Sequence, residues 1–238
     1  MVFESRVVIV TGAAGHLGQA VTAHFAARGA RLLLIDVDRA RLERALGSEH
    51  ERLRLVGADL RDPAQPEAAV QRIVRDWGRV DVLVNLAGGF HMGDPVHEAN
   101  DAAWARMFDL NLRTTLNMCR ATVPAMLAGG QGGAVVNVGA YAALRGGAGM
   151  SAYAAAKAGV QRLTESMAAE LRDRGVRVNC VLPTILDTPV NRAAMPDADA
   201  SRWVAPDALA DVIGFLASDA ARAVHGAALP VSARGEVS

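Results

Sequence analysis

The sequence has few cysteines, no excess of either charge and no long apolar run. Its two cysteines, Cys119 and Cys180, lie far apart and lack the spacing of metal ligands, so we expect reduced thiols, no disulfide and no metal site. The 25 Lys and Arg balance the 25 Asp and Glu, which argues against nucleic-acid and membrane partners. The first residues show no secretory signal, and no apolar run is long enough to span a bilayer. We therefore expect a cytoplasmic protein.

Short apolar segments alternate with longer segments of helical periodicity. Seven segments are typical of strands that are covered on both faces: residues 6–10, 31–36, 53–59, 80–88, 134–140, 176–183 and 227–232. Two long helices are expected over residues 102–130 and 150–175. Repeated alternation of this kind implies right-handed crossovers and a parallel sheet. We predict one α/β domain over residues 1–238, a doubly wound Rossmann sheet of about seven strands with helices on both faces.

One long stretch, residues 184–207, has no clear regularity and follows the carboxyl end of a predicted strand. Ligands bind at this end of open α/β sheets, and long loops there are more often functional than accidental. We interpret the stretch as a substrate loop. The alternative is a solvated excursion on the surface.

The turn after the first strand is rich in glycine and reads TGAAGHLG, residues 11–18. Gly12 permits a tight turn, while Gly15 and Gly18 allow the backbone to approach a pyrophosphate closely. The free N–H groups and the dipole of the following helix favour the phosphate charge. The pattern predicts a dinucleotide site, and it includes three further residues in the same turn: Ala14, His16 and Leu17.

Asp36 ends the second predicted strand, about twenty residues beyond the glycines, where a carboxylate accepts hydrogen bonds from the ribose of NAD. Its charge would repel the 2′-phosphate of NADP. Arg39 is near enough in sequence to soften that repulsion, so we expect NAD(H) to be preferred and NADP(H) to remain possible. The alternative role, a helix cap, can be filled by Asp38.

Tyr153 and Lys157 are four residues apart on a predicted helix and therefore share a face. A free phenol has a pKa of about 10. A nearby ammonium and a cationic nicotinamide would lower it, so that Tyr153 could exchange a proton near neutral pH. In isolation, such a pair could also be ordinary packing on an alanine-rich helix.

These motifs, together with NLAGG (residues 85–89) and Asn111, resemble the short-chain dehydrogenase/reductase family over nearly the whole chain. The resemblance implies an NAD(P)-dependent oxidoreductase in which Tyr153, Lys157 and Asn111 are catalytic. It also implies cofactor contacts, including that of Lys157 with the nicotinamide ribose, at these positions: Asp59, Leu60, Asn85, Ala87, Gly88, Tyr153, Lys157, Pro183, Ile185 and Thr188. The family usually has glycine where this chain has His16 and Thr184.

The family serine that binds a substrate carbonyl lies thirteen positions before the tyrosine, and Ala140 occupies that position here. Tyr141 should point to the opposite face of the strand. Ser151 does not share the face of Tyr153 and is better interpreted as a helix cap. Dihydropteridine reductase, a branch of the family that uses NADH, also has alanine at this place. The segment over residues 182–203 also resembles the corresponding loop of that enzyme.

The expected substrate contacts are Phe90, Ala140, Met150 and Tyr153, and the expected substrate is a quinonoid pterin or a similar electron-poor ring. Two alternatives stay open at this point. One is a general NAD(P)-dependent oxidoreductase of carbonyls, alcohols or quinones, and the other is a non-catalytic dinucleotide-binding protein. The family resemblance implies a homodimer or homotetramer formed through the two long helices.

Overall fold

A computed structural model describes residues 3–233 of the chain. Seven parallel strands form one sheet with the order β3-β2-β1-β4-β5-β6-β7. The strands are β1 Val7–Thr11, β2 Arg31–Asp36, β3 Leu53–Gly57, β4 Val82–Asn85, β5 Gly133–Val138, β6 Val176–Pro183 and β7 Ala228–Val231. The predicted fold class and all seven strands are confirmed, with ends shifted by up to three residues.

Helices cover both faces of the sheet. They are α1 His16–Ala26, α2 Arg39–Leu46, α3 Ala64–Trp77, α4 Asp101–Phe108, α5 Thr114–Gly129, α6 Ser151–Leu171, α7 Pro189–Ala194 and α8 Pro206–Ala217. Within residues 3–233, no helix has the length and apolar character needed to cross a membrane.

The sheet separates two apolar cores. Side chains of β1, β2, β4 and β5 that face α1 and α8 form one core, which includes Val8, Phe25 and Ile213. Alternate side chains of the same strands face α3, α5 and α6 and form the other, which includes Ile9 and Met118. Because both faces are buried, the strands have continuous apolar sequences instead of the alternation of half-exposed strands.

The strand order changes direction between β1 and β4, since β2 and β3 continue to one side and β5 to β7 to the other. In open α/β sheets this switch point leaves a crevice beyond the carboxyl ends of the strands. The turn after β1 and the segment after β4 both lie at this edge, and so do the segments after β5 and β6. The fold thus brings the motifs of the sequence analysis to one place.

The first long helix differs from the prediction. Residues 102–130 were expected to form one α-helix, but a π-helical turn, Asp109–Arg113, separates α4 from α5. A π-turn widens the helix by one residue and is common at functional sites. Its position in the sequence is that of Asn111.

Candidate active site

The glycine turn after β1 brings the start of α1 against the backbone of the turn. Gly12 has φ of +64°, which favours glycine. A Cβ on Gly18 would lie 2.3 Å from the Gly12 carbonyl oxygen, so only glycine permits this packing. Gly15 precedes α1 without a side-chain cap, and the first N–H groups of the helix are left for a ligand. His16 is exposed at the first helical position, where it does not crowd the turn.

Thr11 connects this turn to the segment after β4, a role that the sequence analysis missed. Its buried hydroxyl accepts hydrogen bonds from the backbone N–H groups of Leu86 and Ala87, both at 3.0 Å. A Cβ on Gly12 would lie 3.0 Å from the Ala87 nitrogen. The turn after β1 and the segment after β4 are therefore in direct contact.

The Asp36 carboxylate lies over the glycine turn. It accepts hydrogen bonds from the N–H groups of Ala14 at 3.2 Å and Val37 at 2.9 Å. The expected compensation by Arg39 is wrong, because that guanidinium donates to Glu43 at 2.9 Å and to the Leu55 carbonyl. Arg41 is the cation near Asp36, at 4.0 Å. A carboxylate at this position fits a ribose diol, and together with the cradle at Gly18 it fits a dinucleotide.

Asp59 and Leu60 form the turn after β3. The Asp59 carboxylate accepts a hydrogen bond from Arg61 at 2.7 Å, and this pairing holds the pKa of Asp59 below its usual value. Leu60 is buried, and its carbonyl accepts a hydrogen bond from the Asn117 amide at 2.9 Å. These contacts fix the turn at the edge where cofactor contacts of Asp59 and Leu60 were expected.

Tyr153 and Lys157 lie in the first two turns of α6. The Lys157 Nζ donates to the Val138 carbonyl at 2.9 Å and lies 5.9 Å from the centre of the Tyr153 ring. Burial lowers the pKa of Lys157 from 10.5 to about 8. Burial also raises the pKa of Tyr153 to about 12. In the protein alone, removal from water therefore sets the direction of the shift, whereas the predicted lowering of this pKa includes the charge of a bound nicotinamide.

Ser151 was predicted to cap α6, but it does not. The residue before the helix is Met150, which provides no side-chain cap, and Ser151 is the first helical residue. Ser151 lines a small cavity together with Trp104 and Gly149. The helix therefore starts without the expected hydroxyl–backbone bond.

Asn111 is fully buried in the π-turn and holds the segment after β4. Its amide donates to the carbonyls of Met107 at 3.0 Å and Gly89 at 2.9 Å, and its Oδ1 accepts from the Gly89 N–H at 3.2 Å. A Cβ on Gly88 would lie 2.6 Å from the Asn111 Oδ1 and 3.5 Å from the Lys157 Nζ. The fold thus brings Asn111, Gly88 and Lys157 together.

Asn85, which was expected beside the cofactor, turns its side chain into the sheet. It is 3% exposed and its amide donates to the Asn137 Oδ1 at 2.9 Å. The residue supports the segment after β4 from below instead of contacting a ligand with its amide.

Phe90 and Tyr153 form the aromatic part of the site. Their ring centres are 5.0 Å apart and the planes meet at 89°, an edge-to-face contact. Phe90 remains 58% exposed, so most of its ring is open to a ligand. Ala140 is 7% exposed, in extended backbone just after β5. Met150 is half-buried at the start of α6.

The segment after β6 is more regular than the sequence suggested. Pro183 ends β6, Ile185 is partly exposed, and the Thr188 hydroxyl accepts from the Asn191 N–H at 3.2 Å to cap α7. The base of the loop is closed, because the Asp187 N–H donates to the Val204 carbonyl at 2.8 Å. Trp203 is 6% exposed and anchors the end of the loop in the core.

The arrangement combines a cradle for a pyrophosphate, a carboxylate for a ribose, and a phenol with a buried amine. It can hold a dinucleotide and supply a proton beside it. The Tyr153 phenol can carry a proton, and the Lys157 Nζ lies 5.9 Å from the centre of its ring, where an ammonium favours the ionised phenol.

Comparisons with known proteins agree with this geometry. The family profile described as short chain dehydrogenase matches residues 6–199. The chain is 37% identical to cis-4-hydroxycyclohexanecarboxylate dehydrogenase of Sinomonas cyclohexanicum over 96% of both chains. A short-chain type dehydrogenase/reductase from Mycobacterium ulcerans has a similar structure, with a TM-score of 0.91, 28% identity and coverage of 97% and 90%. Carveol dehydrogenase from Mycobacterium avium in complex with NAD gives a TM-score of 0.85 at 28% identity and 96% coverage of both chains.

Proposed function

The chain belongs to the short-chain dehydrogenase/reductase family, and we propose that it transfers hydride from NADH to a conjugated, electron-poor ring. It is an NAD(P)-dependent oxidoreductase that acts on a small molecule. A quinonoid dihydropterin represents the proposed substrate class. The observation that carries the proposal is the buried methyl group of Ala140, at the position of the family's carbonyl-binding hydroxyl.

The loss of one such hydroxyl matters most when charge develops on a single oxygen. Removal of one donor to a developing oxyanion typically costs about a hundred- to a thousandfold in rate. A quinonoid ring spreads the incoming electrons over several heteroatoms, so it depends less on one donor. Phe90 supports the proposal, since its ring is largely exposed next to Tyr153 and can pack on a planar ligand.

The chain's own residues divide the work in this proposal. The bound dinucleotide supplies the hydride. The N–H groups at the start of α1 hold its phosphates, and Asp36 accepts from its ribose. Tyr153 donates the proton from its phenol oxygen, and Lys157 stabilises the phenolate that remains. Asn111 keeps Gly88 and Gly89 close to the amine. We propose that the chain shares this chemistry with one branch of the family, dihydropteridine reductase.

A second candidate is the oxidation of a cyclic secondary alcohol. The relative from Sinomonas cyclohexanicum is named as a dehydrogenase of such a compound, cis-4-hydroxycyclohexanecarboxylate. The two candidates share the cofactor and Tyr153 but differ in their need for a hydroxyl at position 140.

Turnover of two substrates separates the candidates. Purified protein is assayed with NADH and quinonoid 6,7-dimethyldihydropterin, and with NAD and cis-4-hydroxycyclohexanecarboxylate. We expect NADH oxidation with the pterin well above the spontaneous rate and little reaction with the alcohol. Fast alcohol oxidation, with pterin reduction no faster than in the absence of protein, would contradict the proposal and favour the second candidate.

Ala140→Ser tests the electronic argument directly. The added hydroxyl should raise reduction of a simple cyclic ketone such as cyclohexanone by about tenfold or more, because it restores a donor for a localised oxyanion. Pterin reduction should change by less than about threefold, since no single oxygen carries the charge. Ala142→Ser, two residues further along, is the control for an added hydroxyl outside the site. A large gain on the pterin would refute the mechanism.

Asp36→Asn tests the NAD preference. Loss of the charge should weaken NADH binding by about tenfold, the effect of a lost charge-assisted hydrogen bond, and should strengthen NADPH binding because a repulsion is removed. Asp38→Asn is the matched control, since Asp38 caps α2 through the Ala40 N–H. Dissociation constants from quenching of protein fluorescence provide the readout. An unchanged ratio of the two affinities would show that Asp36 does not contact the ribose.

We also propose a domain organisation, an association state and a compartment for the protein. Residues 184–207 would form the substrate loop of a single dinucleotide-binding domain over residues 1–238. Association into a dimer or tetramer through α5 and α6 is proposed on family grounds. The two cysteines are free and buried, which supports a reducing, cytoplasmic environment.

A further inference from the structure

A chain of buried polar side chains connects the centre of the sheet to the helix that carries Tyr153 and Lys157. The Asn85 amide donates to the Asn137 Oδ1, and the Asn137 amide donates to the Thr164 Oγ1, both at 2.9 Å. The Thr164 hydroxyl in turn donates to the Val160 carbonyl at 2.9 Å. Thr164 and Asn137 are 0% exposed and Asn85 is 3% exposed.

This series of polar side chains departs from the pattern of the central strands β1, β4 and β5, whose other residues are mostly apolar. Burial of an amide or a hydroxyl costs free energy, and hydrogen bonds inside a protein recover only part of it. Apolar side chains of similar size would fill the same space without that cost. Buried polar groups of this kind can fix one arrangement of the elements that they join, because any shift leaves a donor or an acceptor unpaired.

The elements joined here are those that position the amine. Asn137 in β5 immediately precedes Val138, whose carbonyl accepts from the Lys157 Nζ at 2.9 Å. Val160 and Thr164 follow Lys157 in α6 by three and seven residues, so all three lie on one face of the helix. Two neighbouring residues of β5, Asn137 and Val138, therefore contact the same face of α6 at two positions along the helix. A sliding of α6 along β5 would break both contacts together.

We propose that Asn137 and Thr164 are positioning residues for the reaction. Their hydrogen bond fixes the position of α6 along β5 and thereby places the Lys157 amine and the Tyr153 phenol. The inference rests on the catalytic roles proposed for Tyr153 and Lys157. It goes beyond them by assigning the precision of the site to side chains that touch neither substrate nor cofactor.

Three substitutions test this role. Thr164→Val removes the hydroxyl at nearly constant volume, and Thr164→Ser retains it. Thr122→Val is the matched control, because Thr122 is also 0% exposed and its hydroxyl has no hydrogen-bond partner within residues 3–233. Thr164→Ala is a second variant without the hydroxyl, to be used if the valine does not fit.

The readouts separate positioning from stability. Lys157 is the only lysine of the chain, so protein labelled with ¹³C at lysine Cε gives one lysine NMR signal that reports on the amine without any dinucleotide. In Thr164→Val, we expect the titration midpoint of this signal to move upward by about half a pH unit or more as water reaches the amine. The kcat with whichever test substrate is turned over should fall about tenfold, while KM for NADH changes little.

The outcomes are distinct from those of the proposed function. Thr164→Ser and Thr122→Val should both retain the lysine titration and the kcat of the unmodified protein. A Thr164→Val protein that loses thermal stability but keeps both would overturn the inference, and so would failure of both hydroxyl-free variants to fold. An unmodified protein without turnover of either test substrate would count against the proposed function, and the lysine signal would still decide the positioning role.

Discussion

Replacement of Tyr153 by phenylalanine is expected to lower kcat by about a thousandfold, because positioned proton transfer contributes roughly a hundred- to ten-thousandfold to such reactions. The ring itself should stay in place, since it packs against Phe90 with centres 5.0 Å apart. NADH binding should therefore change by less than about threefold, because the phenol acts mainly in the transition state. Steady-state kinetics and NADH titration measure the two quantities.

Tyr141→Phe is the natural control for this variant. The chain has two tyrosines, and Tyr141 lies in the short turn after β5, outside the machinery described above. Its substitution should leave kcat unchanged. If Tyr153→Phe retained most of the activity, the proton would have to come from another group, and the role proposed for Tyr153 would be wrong.

Lys157→Met should lower kcat by about a hundredfold or more, because the phenolate loses the stabilising charge of the neighbouring amine. The variant should also change the pH dependence of stability. In the folded protein, burial lowers the pKa of Lys157 from 10.5 to about 8. The cost of protonating this buried amine is fully present below pH 8 and disappears as the pH rises towards 10.5.

The sign of this effect follows from proton linkage. Between pH 8 and 10 the unfolded chain binds more protons at this residue than the folded protein, so the free energy of unfolding gains a contribution that rises with pH. The expected slope is about 1 kcal/mol per pH unit. Above pH 10, Tyr153 opposes it, because burial raises the pKa of that phenol to about 12 and the unfolded chain loses its proton first.

Urea unfolding of the two proteins at several pH values between 8 and 10 measures this contribution. The difference between the unmodified protein and Lys157→Met should grow with pH, in favour of the unmodified protein. A difference that stays constant across this window would mean that the amine is solvated, and the burial of Lys157 would then be wrong.

The fold could be predicted because its signals are local and repeated. Continuous apolar strands, helices that end at glycine and the turn at Gly12 each follow from a few neighbouring residues, and a parallel sheet is the arrangement that satisfies all of them. The positions of Asp36, Tyr153 and Lys157 followed for the same reason, since each lies at a fixed distance along the chain from a strand or helix end.

The parts that could not be predicted depend on contacts between distant residues. The π-turn at Asn111 arises where its amide bonds to Gly89, more than twenty residues away in the sequence. The partners of Arg39 are chosen by the packing of α2 on β3. The raised pKa of Tyr153 and the polar chain through Asn137 and Thr164 depend on burial by several elements at once. No single segment carries this information.

The most direct test of the site is the lysine NMR signal of the unmodified protein, followed with and without NADH. We expect one ¹³C signal with a midpoint near the pKa of about 8, which shifts when NADH is added and shifts again in Tyr153→Phe. A signal that titrates near the ordinary value of 10.5 and does not respond to bound NADH would show that the amine lies away from the dinucleotide, and would contradict the proposed active site.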